Sequence, residues 1–225
     1  MNFKKNPFHD RVKTEQTTRK DGTNYTVREF KDRYFFPDEW KATYDNLRES
    51  QKTTFNFLIC TGARINEIRN VKVKDIDFER NNIVFRWTKS RNKDRSRKIR
   101  TIPISSQFAK YLRKIIRENN LKLDDKLPVL STPAANMALK GNPTMKTKGA
   151  LQRAGIPDWK MFSVHNIRKT TEMWLIALGI EENKVARHMG HTEKVQQKHY
   201  VSTELFNWQD KDAMRQIIGD IYRER

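Results

Sequence analysis

The sequence has one cysteine, no long apolar run and no glycine-rich phosphate loop, and each absence excludes a class of protein. Cys60 has no partner for an intrachain disulfide, and its place in the apolar run FNFLICTG predicts a small core residue. No apolar run reaches the roughly 18 residues of a membrane span, and MNFKKNPFHDR at the N-terminus lacks the apolar core of a signal peptide. We therefore expect a soluble, cytoplasmic protein.

Acidic residues are scarce relative to basic ones. The 225 residues include 46 Lys and Arg against 27 Asp and Glu, which gives a net charge of +19. Such a field attracts phosphate groups, so nucleic acid is the first candidate partner and an anionic membrane surface the second, while ribosomal and RNA-packing roles share the same sign. A hydrophobic content of 36% is enough to build a single core.

Apolar residues at helical spacing dominate the chain, and capping residues indicate where helices begin and end. Helices are predicted to begin near Pro37, Ser50, Ser105, Thr144 and Ser163, with a short one in GIEENKVARHMGH and an amphipathic one in the tail. Gly62, Gly179 and Gly190 are predicted to end three of them. Asn66 is a predicted cap for a short turn, and residues 119–135 are a predicted polar, Pro-containing connection.

Two parts of the chain are rich in strand-forming residues. Within residues 73–104, VKDIDF, NNIVFRW and KIRTIPI predict a three-stranded antiparallel sheet, so the fold class is α+β and mainly α. The span from Arg80 to Arg100 holds nine Lys or Arg against the single Asp94, and is either a solvated charged hairpin or a cationic edge. Near the N-terminus, Asp21-Gly22 predicts either a hairpin turn or part of a flexible basic arm.

The stretch from Val164 to Tyr200 carries the clearest chemistry. His165 and Arg168 are three residues apart in VHNIRKTTEMWLIALG and would project from one face of a helix. An arginine can hold phosphate oxygens in a bidentate fork, and a histidine can move protons near neutral pH. A downstream tyrosine could supply a nucleophile, so the stretch predicts a site that cuts nucleic acid.

The order of these residues, together with two motifs upstream, resembles the tyrosine recombinases, the phage integrase family. The family's Thr-Gly-x-Arg-x-x-Glu motif matches TGARINEI, which gives Arg64 with Glu67 beside it. The β-hairpin lysine of the family matches Lys89 in RWTKSRNK, and this match favours a functional cationic edge over a solvated hairpin.

The downstream motifs complete the resemblance. The family's His-x-x-Arg pair matches His165 and Arg168, and GHTEKVQQKHY supplies His191 and, nine residues later, Tyr200, which is the usual interval. The five motifs fall in the family's order over about residues 36–202. The resemblance therefore implies a helical catalytic domain with a small antiparallel sheet.

The resemblance also implies a site-specific recombinase or integrase acting on double-stranded DNA. Tyr200 would attack a scissile phosphate to give a 3′-phosphotyrosyl link and a free 5′-hydroxyl, while Arg64 and Arg168 hold the non-bridging oxygens. Lys89 would protonate the leaving 5′-oxygen, and His165 would accept the proton of the tyrosine. His191 would donate a hydrogen bond to the phosphate. The covalent intermediate keeps the energy of the broken bond, so no cofactor or metal is expected. Self-association of the protein on DNA is expected.

Two features depart from the family. Lys169 follows Arg168 where many members have His, which would alter a supporting contact without touching the chemistry. These enzymes also usually carry a helical core-binding domain ahead of the catalytic part, whereas here the catalytic domain is expected over residues 36–203, after only a basic arm over residues 1–35. Either the chain is a minimal or truncated integrase, or the arm does a reduced version of the clamp's work. A C-terminal amphipathic helix is expected over residues 204–225.

Several alternatives stay open. A type IB topoisomerase shares this chemistry, and a catalytically idle DNA-binding module would keep the fold.

A metal on His188, His191 and His199 is disfavoured because no Cys pair lies nearby, and His188 and His199 are expected at the surface or supporting the site. His191 has the alternative of a capping or packing role. Tyr222 is the rival nucleophile, but it lies on the apolar stripe of the tail, which packs either on the domain's own core or on a neighbouring subunit.

Overall fold

The computed structural model describes residues 15–27, 33–88, 98–190 and 206–222, and helices make up most of them. The helices are α1 (Pro37–Asp45), α2 (Glu49–Thr61), α3 (Ile65–Ile68), α4 (Ser106–Glu118), α5 (Thr132–Lys140), α6 (Ala150–Arg153), α7 (Val164–Ala177), α8 (Glu182–Met189) and α9 (Trp208–Ile218). Two 3₁₀ turns, Val73–Asp75 and Trp159–Met161, lie between them. No helix within these ranges is both long and apolar enough to cross a membrane.

The strands form small antiparallel sheets. They are β1 (Glu15–Thr18), β2 (Asn24–Val27), β3 (Ile76–Asp77), β4 (Asn82–Phe85), β5 (Arg100–Pro103), β6 (Gly141–Asn142) and β7 (Thr147–Lys148). The three-stranded sheet has the order β3-β4-β5, with Ile83 of β4 opposite both Ile76 and Ile102. This is the sheet predicted over residues 73–104, and the mainly α fold class with a small antiparallel sheet is confirmed.

Helices α2 and α7 pack against each other at the centre of the fold. Their fully buried side chains are Phe55, Phe57, Leu58 and Ile59 of α2 and Ile167, Trp174 and Leu175 of α7. The hydroxyl of Thr171 donates to the carbonyl oxygen of Ile59 at 2.9 Å, and the Trp174 indole donates to that of Phe35 at 3.0 Å. Because buried polar groups need such partners, these bonds fix the register of α7 on both sides. The helix that carries His165 and Arg168 is therefore a core helix.

The N-terminal hairpin is attached to this core at its turn. Gly22 of the predicted Asp21-Gly22 turn has φ +91°, and β1 pairs with β2, so the hairpin alternative is confirmed for the described residues. The Arg19 guanidinium donates to Asp210 of α9 at 2.8 Å and to Asp38 of α1 at 3.0 Å. Its Cζ also lies 4.0 Å from the centre of the Phe36 ring. One arginine thus joins the hairpin to the first and last helices.

A buried ion pair lies directly beneath this hairpin. Arg33 Nη2 donates to Glu39 Oε1 at 2.6 Å, and both side chains are 0% exposed. The Glu39 carboxylate also accepts from the backbone N–H of Phe36 at 3.0 Å and of Lys20 at 3.2 Å. Removing one partner of such a pair leaves an unpaired charge in the core, which costs about 3–5 kcal/mol. Arg33 is therefore part of the packed fold.

The tail helix α9 packs on the domain's own core, which is the first of its two predicted alternatives. Met214 and Ile218 are 0% exposed, and Ile217 is half-buried against the same cluster. The helix is shorter than the apolar stripe predicts, because Gly219 with φ +73° follows Ile218 and breaks the helical path. Tyr222 therefore lies beyond the helix end.

Several predicted caps are confirmed and two are wrong. Ser105 accepts from the N–H of Phe108 at 3.2 Å, Ser163 from that of His165 at 3.3 Å, and Gly62 and Gly190 end their helices in the left-handed region. Ser50 is already inside α2, which begins one residue earlier. Asn66 is inside α3, whose first turn is capped instead by Glu67.

The predictions for residues 119–135 and for a helix from Thr144 to Arg153 are also wrong in part. The first region contains the start of α5, where Ser131 caps the helix and Pro133 lies in the first turn. The second contains the β6–β7 hairpin, and only Ala150–Arg153 is helical. The helix begins only after Gly149, because the extended backbone of this residue (φ −80°, ψ 174°) interrupts a helical path. A Cβ at Gly149 would lie 2.1 Å from the Leu139 carbonyl oxygen, so the close packing here requires glycine.

Candidate active site

An open cleft of about 570 Å³ gathers the predicted site residues that the structure describes. Its lining residues come from α3 and the chain on either side of it (Ala63, Arg64, Ile65, Asn66, Glu67 and Asn70), from the segment after β4 (Trp87 and Thr88), from the start of α5 (Thr132) and from the first turns of α7 (Val164, His165 and Arg168). Arg64, His165 and Arg168 are thus brought together from two distant parts of the chain.

Arg64 is held at the N-terminus of α3 by the residue one turn ahead. Its backbone N–H donates to Glu67 Oε2 at 2.9 Å, and its guanidinium donates to Glu67 Oε1 at 3.1 Å. The left-handed Gly62 makes the link from α2 short, and a Cβ there would lie 2.7 Å from the Met189 methyl carbon. Arg64 nevertheless keeps 30% of its side chain exposed, so the guanidinium is fixed and still open to the cleft.

Arg168 lies deeper than Arg64. Its residue is 2% exposed, Nη1 donates to the Gly62 carbonyl oxygen at 2.6 Å, and Nη2 donates to that of Met189. Burial, and then the charges of Arg64 and Arg100, lower the pKa of Arg168 to about 9. The guanidinium is still charged at neutral pH, and an anion in the cleft would offset the repulsion from Arg64 and Arg100.

His165 lies at the mouth of the cleft, in the first turn of α7. The residue is exposed, and its N–H is bonded to the Ser163 hydroxyl at 3.3 Å. His165 and Arg168 line the same cleft, which confirms that the helix projects them towards one side, with the histidine outside and the arginine inside. The arrangement suits an anion held by arginines with a proton-transfer group beside it.

Three predicted site residues lie outside the described residues. They are Lys89, His191 and Tyr200. Thr88, which lines the cleft, directly precedes Lys89 in the sequence, and Gly190 at the end of α8 directly precedes His191. The roles of all three stay predictions.

Residues 34–205 match the model of the phage integrase family. The chain belongs to the phage integrase family. Its similarity to the integrase of Salmonella phage P22 is 25% identity over 175 residues, which cover 73% of this chain and 42% of that protein. The chain therefore spans about two fifths of the length of this curated relative.

Solved structures share the fold of this family member. The Tn1549 transposon integrase in complex with transposon right end DNA has a TM-score of 0.57 at 16% identity, over 97% of this chain and 73% of that one. The XerA recombinase has a TM-score of 0.55 at 17% identity, over 82% of this chain and 64% of that one.

Tyr222, the rival nucleophile in this integrase-family chain, is engaged elsewhere. Its hydroxyl lies 2.8 Å from Nδ1 of His188, whose Nε2 lies 3.0 Å from the Thr61 carbonyl oxygen. A carbonyl can only accept, so Nε2 carries the proton and Nδ1 accepts from the tyrosine. Burial raises the pKa of Tyr222 to about 12, which disfavours the nucleophilic phenolate.

His188 itself is buried, so of its two predicted positions, at the surface or supporting the site, the surface one is excluded. Burial, and then the charge of Arg100, lower its pKa to about 3, and the imidazole is neutral. It supports the backbone at Thr61, one residue before the left-handed Gly62. Within residues 15–27, 33–88, 98–190 and 206–222, no three His, Cys, Asp or Glu side chains are placed to share a metal ion. His191 and His199 lie outside those ranges, so this does not test a site that includes them.

The motifs did not identify several residues around the cleft of this integrase-family chain. Trp87 lines it and is 51% exposed, and Thr132 reaches it from α5, which was not predicted. Arg100 lies behind it, bonded to Glu67 at 2.7 Å. A signal for Arg100 was present, because strand alternation in KIRTIPI places it on the same face as the buried Ile102.

Proposed function

We propose that this chain is a site-specific DNA recombinase or integrase that cleaves and rejoins double-stranded DNA through a 3′-phosphotyrosyl intermediate. The observation that carries the proposal is the cleft shared by Arg64, His165 and Arg168. Two fixed guanidinium groups match the charge that develops on a phosphodiester in its transition state. We assign the catalytic domain to residues 36–203.

The reaction balances with the side chains that the family signature supplies. The phenolic oxygen of Tyr200 attacks phosphorus, an O–P bond forms, and the bond from phosphorus to the 5′-oxygen breaks. Arg64 and Arg168 hold the non-bridging oxygens. We assign His165 as the group that accepts the tyrosine proton and Lys89 as the group that gives a proton to the leaving oxygen. The remaining contact to the phosphate is assigned to His191. Rejoining is the reverse, with a 5′-hydroxyl as the nucleophile.

Charge supports double-stranded DNA as the partner. A net charge of +19 favours a polyanion. A solved neighbour, the Tn1549 transposon integrase, has been captured with transposon right end DNA. Exchange of strands between two sites requires self-association on DNA, and we place the reaction in the cytoplasm, where the nucleoid or host DNA lies.

A covalent adduct on a nicked duplex tests the proposal. The nick lets the short strand leave after cleavage, so the 3′-phosphotyrosyl intermediate accumulates. We expect a slower band on a denaturing gel for the native protein and no such band for Tyr200→Phe. Relaxation of a supercoiled plasmid without products joined between two sites would instead identify a type IB topoisomerase. Binding without any adduct would identify a DNA-binding module.

A further inference from the structure

Arg100, the first residue of β5, contacts three separate parts of the structure around the cleft. Nη2 donates to Glu67 Oε2 at 2.7 Å, and Nη1 donates to the carbonyl oxygen of His188 near the end of α8. Its Cζ lies 5.1 Å from the centre of the Phe85 ring on β4. With 9% of its side chain exposed, Arg100 is an internal connection between α3, α8 and the sheet.

The three segments that Arg100 contacts each hold a residue of the proposed reaction in place or lie next to one in sequence. Glu67 holds Arg64, and β4 and β5 flank in sequence the segment that contains Lys89. Gly190, which precedes His191, packs so closely on Arg100 that a Cβ there would lie 3.1 Å from the Arg100 Cδ. Gly190 has φ +67°, so both its conformation and this contact favour glycine.

The charges explain why a second arginine is needed on Glu67. That carboxylate is 2% exposed, and the two guanidinium groups bind different oxygens of it: Oε1 accepts from Arg64 at 3.1 Å, and Oε2 from Arg100 at 2.7 Å. Oε2 also accepts from the backbone N–H of Arg64 at 2.9 Å. Without Arg100, the Arg64 guanidinium would have to neutralise the buried charge of Glu67. A guanidinium drawn into that pair would be less available to a phosphate.

We propose that Arg100 is a positioning residue for phosphate binding in the cleft. It occupies one oxygen of Glu67 and the end of α8, and so keeps the Arg64 guanidinium turned towards the cleft. The proposal rests on the proposed function for its link to cleavage. Its link to phosphate binding can be tested independently.

Arg113 offers a matched control for substitution. It also lies over an aromatic ring, with Cζ 4.5 Å from the centre of Phe78, and it also donates to a backbone carbonyl, that of Phe78, at 3.2 Å. It lies on α4 and does not line the cleft. Arg113→Lys and Arg100→Lys therefore make the same chemical change at two places.

The first experiment compares these variants in single-turnover cleavage of a nicked duplex. A lysine at position 100 keeps the charge but cannot fork between a carboxylate and a carbonyl. We expect Arg100→Lys to slow adduct formation about 10- to 100-fold, with DNA affinity within about twofold, since small displacements of catalytic groups have effects of this size. Arg113→Lys should cleave like the native protein. A loss of rate matched by a loss of folded protein would overturn the proposal.

A double-mutant cycle then asks whether Arg100 acts through Arg64. If it does, Arg100→Lys should have a smaller effect in an Arg64→Lys background than in the native protein. Full additivity of the two effects on rate would contradict this path.

The second experiment needs no cleavage. Inorganic phosphate is titrated into the protein while the Nε–Hε signal of Arg64 is followed by NMR. We expect phosphate to bind more weakly to Arg100→Lys, with an altered Arg64 signal, and unchanged binding to Arg113→Lys. An unchanged response in Arg100→Lys would overturn the proposal. If the phosphate result holds while the native protein forms no adduct, the proposed function fails and the positioning role stands.

Discussion

Arg168 donates from Nη1 to the carbonyl oxygen of Gly62 at 2.6 Å, so the arginine of the motif helix is bonded to the link that presents Arg64. Its second terminal nitrogen donates to Met189, next to the left-handed Gly190. The three segments converge because orphan carbonyls at the C-terminal ends of α2 and α8 need donors, and a buried guanidinium supplies them. Arg168 therefore has a structural role beside its proposed chemical one.

A lysine at position 168 tests the guanidinium fork while the charge is kept, which an alanine would not do. Arg168→Lys keeps a cation in the cleft but loses the fork, and we expect transition-state stabilisation to fall by about 3–4 kcal/mol, the usual loss for one donor to a developing negative charge. Single-turnover adduct formation at matched folded fractions measures it.

Chelation provides the control for this result. Charge neutralisation is assigned to arginines, so adduct formation should persist in excess EDTA. Loss of activity on chelation, restored by Mg²⁺ or Zn²⁺, would favour a metal-dependent nuclease and would remove the role given to Arg168.

The two tyrosines near the C-terminal end should respond oppositely to loss of the hydroxyl. Tyr200→Phe should abolish the covalent adduct with DNA affinity nearly intact, because only the attacking oxygen is lost. Tyr222→Phe should still form the adduct. It should lose about 1–3 kcal/mol of unfolding free energy, because His188 Nδ1 is left buried without its donor.

A denaturing gel and a urea titration on both variants test this pair. If Tyr222→Phe were the inactive variant and Tyr200→Phe the active one, the nucleophile would lie in the tail after α9, and the family assignment of Tyr200 would be wrong.

Stability should fall on acidification because of His188. The folded pKa is lowered to about 3 by burial, whereas an unfolded histidine titrates near its ordinary 6.5. Between those values the unfolded chain binds more protons, so the unfolding free energy rises with pH and is lost as the pH falls from about 6.5 towards 3. The slope from this residue approaches roughly 1.4 kcal/mol per pH unit.

The comparison with His188→Asn isolates this contribution from those of the carboxylates. Urea titrations from pH 7 to pH 4 should show a shallower pH dependence for the variant, although it is less stable at pH 7. Parallel curves for the two proteins would show that His188 does not titrate on unfolding.

Helix ends could be predicted from the sequence, because they depend on interactions between neighbouring residues. Ser163 and Gly62 predicted where helices begin and end, because capping satisfies backbone groups within one turn. The start of α5 was not predicted, although Ser131 can cap a helix and a proline in the first turn removes only an N–H that has no helical partner. Arg100 was missed for a different reason. Its partners Glu67 and His188 are distant in sequence, and no local pattern states which carboxylate an inward-facing arginine will meet.

The basic N-terminal segment can be tested as a source of phosphate contacts while the ion pairs of Arg19 and Arg33 are kept. Deleting all of residues 1–33 would remove Arg33 and leave Glu39 unpaired in the core, and it would remove Arg19 from Asp210. Deleting residues 1–14 avoids both, and it removes four Lys and Arg. Urea titrations of the full chain and this shortened chain check that the deletion leaves the fold stable.

If these four residues contact DNA, the shortened chain should bind with a flatter salt dependence. Each lost phosphate contact lowers the log–log slope by about 0.9, so the change is at most about 3.6. Phosphate contacts do not read sequence, so two unrelated duplexes should show the same change. The measurement is a titration of both proteins on both duplexes at several salt concentrations, with adduct formation on a nicked duplex as the control that the cleft is intact. An unchanged slope would show that the segment is no substitute for a DNA clamp. A strong preference for one duplex that survives the deletion would place sequence recognition within the rest of the chain.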